Sequence, residues 1–414
     1  MQSTPKSLRL TIAILGRMNV GKSSLLNYLA GQDVAITAPV PGTTTDVVEK
    51  PMELPPLGPV NFLDTAGLDD TSALGAARVA RTEKALARAD VAILVLEPNR
   101  FGPREEALFA RARERKLPVI VVVTKCDLEV PAAAWLEEIR QNTPQVLMVS
   151  TTNAAGRGAV LAAFVQALLA VCPEDFLQPP PLVGDLVKPG GLAVLVVPID
   201  LQAPRGRLIL PQVQVIRDAL DCDAAALVVK ERELAHLLSR LAAPPDVVIC
   251  DSQVVQKVVA DTPATVPCTT FSILFARLKG DLQRLAAGAA AIDRLRGGDR
   301  VLIAESCSHH ALEDDIGRVK IPRWLRQYTG AALEVDTTAG RDFPADLSKY
   351  KLVVQCGGCM VTRREVLGRI EQAQAAGVPI TNYGLCIARS QGVLDRVLAP
   401  FPAALEASRR ARRG

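Results

Sequence analysis

Short aliphatic runs alternate with longer stretches in which apolar residues recur every three or four positions, and this rhythm covers most of the 414-residue chain. LRLTIAIL, VNFLD, VAILVLE, PVIVVVTK and VLMVS fall between residue 8 and about residue 170, each bounded by Gly, Pro, Asp or Asn. Strands that are apolar throughout show neither face to water, so they belong to a parallel sheet covered by helices on both sides. The spacing predicts a doubly wound α/β domain over residues 1–172. In CPEDFLQPPPLVGD, three successive prolines and the loss of periodicity predict a linker over 173–184.

A second run of βα units follows, from GLAVLVVPI through AALVVK and ERELAHLLSRLA to DVVIC and DSQVVQKVVA, and predicts a smaller α/β domain over 185–265. Beyond TPATVPCTT, a helical stretch leads to three further βα repeats beginning RVLIAES, YKLVVQ and VPITNYG, a third α/β domain over 266–406. The closing SRRARRG reads as a solvated, frayed basic tail over 407–414. The expected fold class is thus α/β, with three α/β domains in sequence.

A hydrophobic share of 49% with 22% charged residues supplies several packed cores and excludes a disordered scaffold. Lys and Arg number 48 against 44 Asp and Glu, an excess too dilute to imply nucleic acid. No run approaches the roughly 18 apolar residues of a membrane helix, and the apolar run after MQSTPKSLR is too short for a signal peptide, so a cytoplasmic, non-membrane protein is expected. Nine cysteines in a reducing compartment do not read as a disulfide framework, which turns clustered ones into metal or redox candidates.

Directly after the first strand, Gly16 and Gly21 stand with four residues between them and are followed by Lys22, Ser23 and Ser24. The glycines let backbone N–H groups turn around phosphate oxygens, Lys22 brings a point charge to the β and γ phosphates, and Ser23 offers a magnesium ligand at a helix start. Asp64-Thr-Ala-Gly67 after a later strand places a carboxylate near magnesium and an amide at the γ-phosphate, and Thr44 is the candidate switch hydroxyl on magnesium. Thr124-Lys125-Cys126-Asp127 closes another strand; Asp127 can accept from guanine N1–H and its amino group, selecting GTP. Ser150 completes the nucleotide-binding set.

In this order the motifs resemble a translation-factor-class small GTPase. Thr124 replaces the Asn usual in that class, so a contact steadying the P-loop and base is expected to be shortened or lost, and Ser150-Thr151 stands where Ser-Ala is usual. Leu68 occupies the place of the Gln that orients water in Ras-type enzymes. Asn19 is similar to the potassium-coordinating Asn of TrmE-like GTPases, and this resemblance implies slow, K⁺-stimulated hydrolysis; the plainer role for Asn19 is to stabilise the loop backbone.

The third domain carries Cys307-Ser-His309-His310 and, with 46 residues between His309 and Cys356, Cys356-Gly-Gly-Cys359. Both knots follow strands expected to be parallel, at the edge where open α/β sheets place ligands. A bound metal is expected. Three cysteines with one histidine suit tetrahedral zinc, while three thiolates with a non-cysteine fourth position suit a 4Fe-4S cluster, and spacing alone leaves both open. Cys126, Cys172, Cys222, Cys250 and Cys268 read as small buried hydrophobes. Cys386, after a third strand, is a minor candidate for the cluster edge, and His236 reads as a surface residue.

A TrmE-like GTPase domain, a small α/β domain, and then this Cys and His pattern together resemble the HydF family, the GTPases of iron-only hydrogenase maturation, over essentially the whole chain. The resemblance implies a K⁺-activated GTPase using GTP and Mg²⁺, and a homodimer formed through residues near 185–265. It also implies a 4Fe-4S cluster on Cys307, Cys356 and Cys359, with His309 as first candidate for the fourth ligand and Glu305, His310 or an exogenous group behind it. Such a protein would be a scaffold or carrier that takes a di-iron precursor from radical-SAM maturases and delivers it to apo FeFe-hydrogenase. The competing reading is a ribosome- or tRNA-associated TrmE-like GTPase with a C-terminal zinc module; few aromatics and no RNA-binding motif count against it.

Overall fold

In the computed structural model, residues 8–31, 48–64, 75–178, 180–199, 208–306, 315–340 and 343–413 are described. They form two compact units, Met1–Pro179 and Pro180–Gly414.

The strands of the first unit are β1 (Leu10–Gly16), β2 (Val48–Leu54), β3 (Gly58–Asp64), β4 (Val91–Leu96), β5 (Val119–Val123) and β6 (Val146–Met148). They form one sheet in the order β2-β3-β1-β4-β5-β6, parallel except for the β2–β3 hairpin. Successive side chains point to opposite faces, which splits each apolar strand between two cores. Leu10, Ile12 and Ile14 join Phe62, Ile93 and Val95 under the helices Lys22–Ala30 and Arg157–Val171. Ala13 and Leu15 join Leu63, Leu94 and Val121 under Gly75–Arg88 and Pro103–Glu114. Continuous hydrophobicity in the sequence is therefore two interleaved alternations, one for each helical layer.

The second unit holds two all-parallel sheets. β7 (Leu192–Val196), β8 (Ala225–Val229), β9 (Val247–Cys250) and β10 (Cys268–Thr270) run in the order β10-β9-β7-β8. β11 (Arg300–Ala304), β12 (Glu334–Thr338), β13 (Leu352–Gln355) and β14 (Ile380–Asn382) run in the order β12-β11-β13-β14. One continuous hydrophobic core joins the two, from Val194 and Ile249 through Leu274 and Phe275 to Ile303 and Val353.

Three expectations change here. The boundary expected at 265 cuts off β10, which is the edge strand of the first of these sheets. Residues 180–184, expected to be linker, are docked: Leu182 and Val183 are buried, the Val183 and Gly184 amides donate to Asp218, and Arg277 donates to the Pro181 and Leu182 carbonyls. The basic end is not frayed, because the helix Pro402–Arg413 runs through it and Asp395 accepts from both Arg409 and Arg412. A run of arginines at a helix C-terminus is favourably placed against the helix dipole, and here a carboxylate from the preceding helix answers it.

Candidate functional site

Each nucleotide motif within the described residues lies at the carboxyl edge of the first sheet. β1 ends at Gly16, whose φ is +152° and where a Cβ would come 2.5 Å from the Val95 carbonyl oxygen of the adjacent strand. Gly21, at φ +96°, caps the helix Lys22–Ala30 and turns the loop into it. Asn19 sits between them in the left-handed region, at φ +61°, and is exposed; asparagine tolerates that conformation better than most residues. The Lys22 ammonium lies over the loop, donating to the Gly16 carbonyl at 3.0 Å and the Arg17 carbonyl at 2.6 Å. Ser23 and Ser24 occupy the first turn, Ser23 half-buried and Ser24 exposed. Among the anchors is an ion pair no motif announces: Arg17 grips the solvent-sealed Glu105 through Nε at 2.8 Å and Nη2 at 2.9 Å.

Asp64 ends β3, in register with Ile14, two residues before Gly16. Thr44, Gly67 and Leu68 lie outside the described residues.

At Thr124 the contact expected to be shortened or lost is present, made by the shorter side chain. Its buried hydroxyl donates to the Val20 carbonyl in the P-loop, with the Leu96 carbonyl also within 3.2 Å. The P-loop comes close enough for a shorter side chain to make this contact. Replacing Thr124 with Val, which keeps the shape and removes the hydroxyl, leaves the Val20 carbonyl short of that donor; a cost of about 1–2 kcal/mol follows. Titration with fluorescent GDP should show about tenfold weaker binding, and unchanged affinity would deny the contact its role.

Beyond Thr124, Lys125 adopts φ +57°, a costly conformation for lysine of the kind that collects at binding sites, and its ammonium pairs with Glu97. The Asp127 carboxylate is exposed and held below the usual carboxylate range, first by the Ser150 hydroxyl and further by backbone and Thr152 donors. Thr152 Oγ1 stands 3.3 Å from Asp127 and 2.8 Å from Ser150 Oγ. Asp127 is thereby kept ionised, as an acceptor for guanine must be.

In the second unit, Cys356 directly follows β13, and its amide donates to the Ala304 carbonyl at the end of β11. The Ser306 amide donates to Cys356 Sγ at 3.1 Å. Ser306 lies two residues beyond β11, so the Cys356 sulfur meets the end of the neighbouring strand. Gly358 has φ +66°, and a Cβ there would lie 3.1 Å from the Val366 side chain, so both backbone and space call for glycine; Gly357 has room, with only Ser272 Oγ at 3.9 Å. Lys279 Nζ donates to the carbonyls of Gly358 (2.9 Å), Cys359 (3.3 Å) and Val361 (3.1 Å). Burial pulls this lysine down to about 8, against the opposing pull of Cys359, Cys356 and Glu365. Burial also pushes the Cys359 thiol up, and Cys356 adds to that.

The family model described as the hydrogen maturase F dimerization domain matches residues 182–280, and that for its tetramerization domain matches 283–400. The chain belongs to the HydF family. The model described as a 50S ribosome-binding GTPase matches residues 11–125, and the N-terminal unit of this HydF chain is a P-loop GTPase that binds GTP and Mg²⁺. Its dimerization and tetramerization domains make it an oligomer-forming protein. Among curated relatives, the tRNA modification GTPase MnmE of Synechococcus sp. strain CC9605 is 40% identical over 164 residues, 39% of this chain and 34% of that protein. MnmE of Nitrosomonas europaea is 38% identical over 159 residues, 37% of this chain and 34% of that one. The chain thus spans about a third of the length of these relatives. Among solved structures, Era of Aquifex aeolicus bound to GDP and aluminium fluoride is 23% identical with a TM-score of 0.33, covering 53% of this chain and 93% of that one. The G domain of the T. maritima FeoB iron transporter is 24% identical at TM-score 0.29, covering 38% and 98%.

Among the described residues no group of three or more His, Cys, Asp or Glu could hold a metal, and no helix is long and apolar enough to cross a membrane. Cys307, His309 and His310 lie outside them. The Cys356–Cys359 loop suits a thiolate-bound metal: a backbone N–H points at Cys356 Sγ, and Lys279 lies behind the Cys359 carbonyl. Glu305 is buried and committed to Arg318 at 3.1 Å. Cys386 is sealed in the core, where burial pushes its thiol up to about 12, as a packing residue's would be. His236 is exposed. Thr152, Lys279 and Arg369 carry no motif signature in the sequence.

Proposed function

We propose that this HydF chain is a GTPase and iron-sulfur scaffold that takes up a di-iron precursor and hands it to apo FeFe-hydrogenase, with radical-SAM maturases as its other partners and a cytoplasmic homodimer as its basic unit. The observation that carries this reading is the Cys356–Cys359 loop, built at the end of β13 with its first sulfur against Ser306 and within the HydF tetramerization match. Cys307, Cys356 and Cys359 would hold a 4Fe-4S cluster, with His309 first in line for the fourth position. Held by three thiolates, such a cluster would supply an exchangeable position for a delivered di-iron unit.

In the GTPase unit, Ser23 and Thr44 would ligate Mg²⁺, with Asp64 in its outer sphere and the Gly67 amide facing the γ-phosphate. Asn19 would coordinate K⁺. Gly16, Gly21, Lys22 and Ser24 would cradle the phosphates, and Lys125, Asp127 and Ser150 the base. The tRNA-associated alternative is supported by similarity over a minority of the chain, 39% or less in the two MnmE matches above.

Iron and zinc analysis of protein purified and reconstituted under strict anaerobiosis tests the reading. About four irons per chain are expected, lost in Cys307→Ala while GTP hydrolysis persists. Stoichiometric zinc with no uptake of iron would replace the scaffold by a zinc-stabilised GTPase.

A further inference from the structure

Resting on the reading that Cys307, Cys356 and Cys359 hold a metal centre, we propose that Lys279 and Arg369 are positioning residues for it: two buried cations that fix the Cys356–Cys359 loop and balance the negative charge of its thiolates. Lys279 is 3% exposed and Arg369 8%. Charges so deeply buried are costly unless another charge answers them. All three Lys279 donors go to backbone carbonyls of the loop, which satisfy hydrogen bonds and leave the charge in place. Arg369 donates to Ser306 Oγ at 3.2 Å and to the Gly340 carbonyl at 3.0 Å, and it lies 5.2 Å over the Phe343 ring. Among the described residues neither cation is ion-paired to a carboxylate.

What both share is the knot. Lys279 holds the chain from Gly358 to Val361, on the side of Cys359. Arg369 holds Ser306, whose amide points at Cys356 Sγ. Glu365 pulls on both cations without pairing to either, and the Cys356 and Cys359 thiolates, once ionised on a metal, would add counter-charge at the loop itself. Lys279 also closes the helix Phe271–Lys279, which begins directly after β10, so the element that anchors the loop starts in the sheet of the dimerization match.

The test uses the full chain as wild type, Lys279→Met, Lys279→Arg and Arg369→Met. Apoprotein is titrated with Co²⁺, followed by thiolate-to-cobalt absorption; a second sample is reconstituted with ferrous iron and sulfide, and its midpoint potential is read by electron paramagnetic resonance. Each Met variant is expected to bind Co²⁺ about tenfold more weakly. At a fixed poise the ratio of reduced to oxidised centre should fall about tenfold, a shift of about 59 mV to more negative potential for a one-electron couple. Lys279→Arg should recover most of both. Unchanged affinity and potential in the two Met variants overturn the proposal. A wild type that binds Co²⁺ but no iron and sulfide removes the iron-sulfur reading and leaves the cobalt affinities to decide this one. Should Lys279→Met fail to fold, Arg369→Met decides, since the two side chains share no hydrogen-bond partner.

Discussion

Lys22→Ala should slow GTP hydrolysis by at least about 10²-fold, because preorganised positive charge at a transferring phosphoryl group is worth about 3–4 kcal/mol of barrier. The ammonium is already aimed: two loop carbonyls hold it over the space enclosed by Gly16 to Gly21 before any phosphate arrives. Phosphate release under saturating GTP measures the loss, and a fluorescent GDP titration separates it from weaker binding. Lys22→Arg should not restore the rate, since a planar guanidinium does not fit a site built for a compact ammonium between two carbonyls. A rate within about threefold of wild type would remove Lys22 from the machinery. The same assay in potassium and sodium salts examines Asn19: faster turnover in potassium is expected, and equal rates would leave Asn19 as a loop former held by its left-handed backbone.

Gly288→Ala should destabilise the second unit by about 3 kcal/mol or more. Gly288 is buried in the helix Leu282–Ala289, and a Cβ there would lie 1.9 Å from the Ile380 carbonyl oxygen and 2.7 Å from its carbon. These are backbone atoms of β14, which cannot rotate aside as a side chain would. The strand would have to shift, and with it Asn382, which caps the helix Tyr383–Ser390 and donates to the Ser272 carbonyl at 2.9 Å. Thermal unfolding should begin about 6–12 °C earlier, at roughly 2–4 °C per kcal/mol for a unit of this size. Gly368→Ala in the helix Arg363–Ala375 is the control, because a Cβ there meets nothing within 4 Å. That change should leave stability unchanged or raise it by up to about 1 kcal/mol. Equal melting of the two variants would contradict the clash.

Much of this architecture was legible in the chain because parallel strands covered on both faces read as unbroken aliphatic runs. What escaped was short, or depended on a distant partner. β10 has three residues, too few to show a period, and its Cys-Thr-Thr follows a proline that looks like a boundary. The arginines of 409–412 read as solvated because Asp395, which holds two of them, is 14 residues back from the first. Thr124 illustrates the opposite limit: motif comparison registers a shorter side chain, while the contact depends on where Val20 stands. The Cys356–Cys359 pair was visible as spacing, but Lys279 and Arg369 beside it were not. A lysine ending a helix ordinarily reaches solvent, and only the approach of the loop Gly358–Val361 turns Lys279 inward.

The shared interior of the second unit bears on how such a chain could have arisen. Residues from β7 to the helix Pro402–Arg413 contribute to a single core, whereas the GTPase unit closes its own two cores before residue 179. Recombination at that seam would trade one self-sufficient folding module, and recombination anywhere between the two HydF matches would leave each half with a bare apolar face. The similarity to tRNA modification GTPases covers no more of the chain than a first unit of this size, as expected of a lineage in which the nucleotide switch was the exchangeable part and everything after it had to be inherited whole.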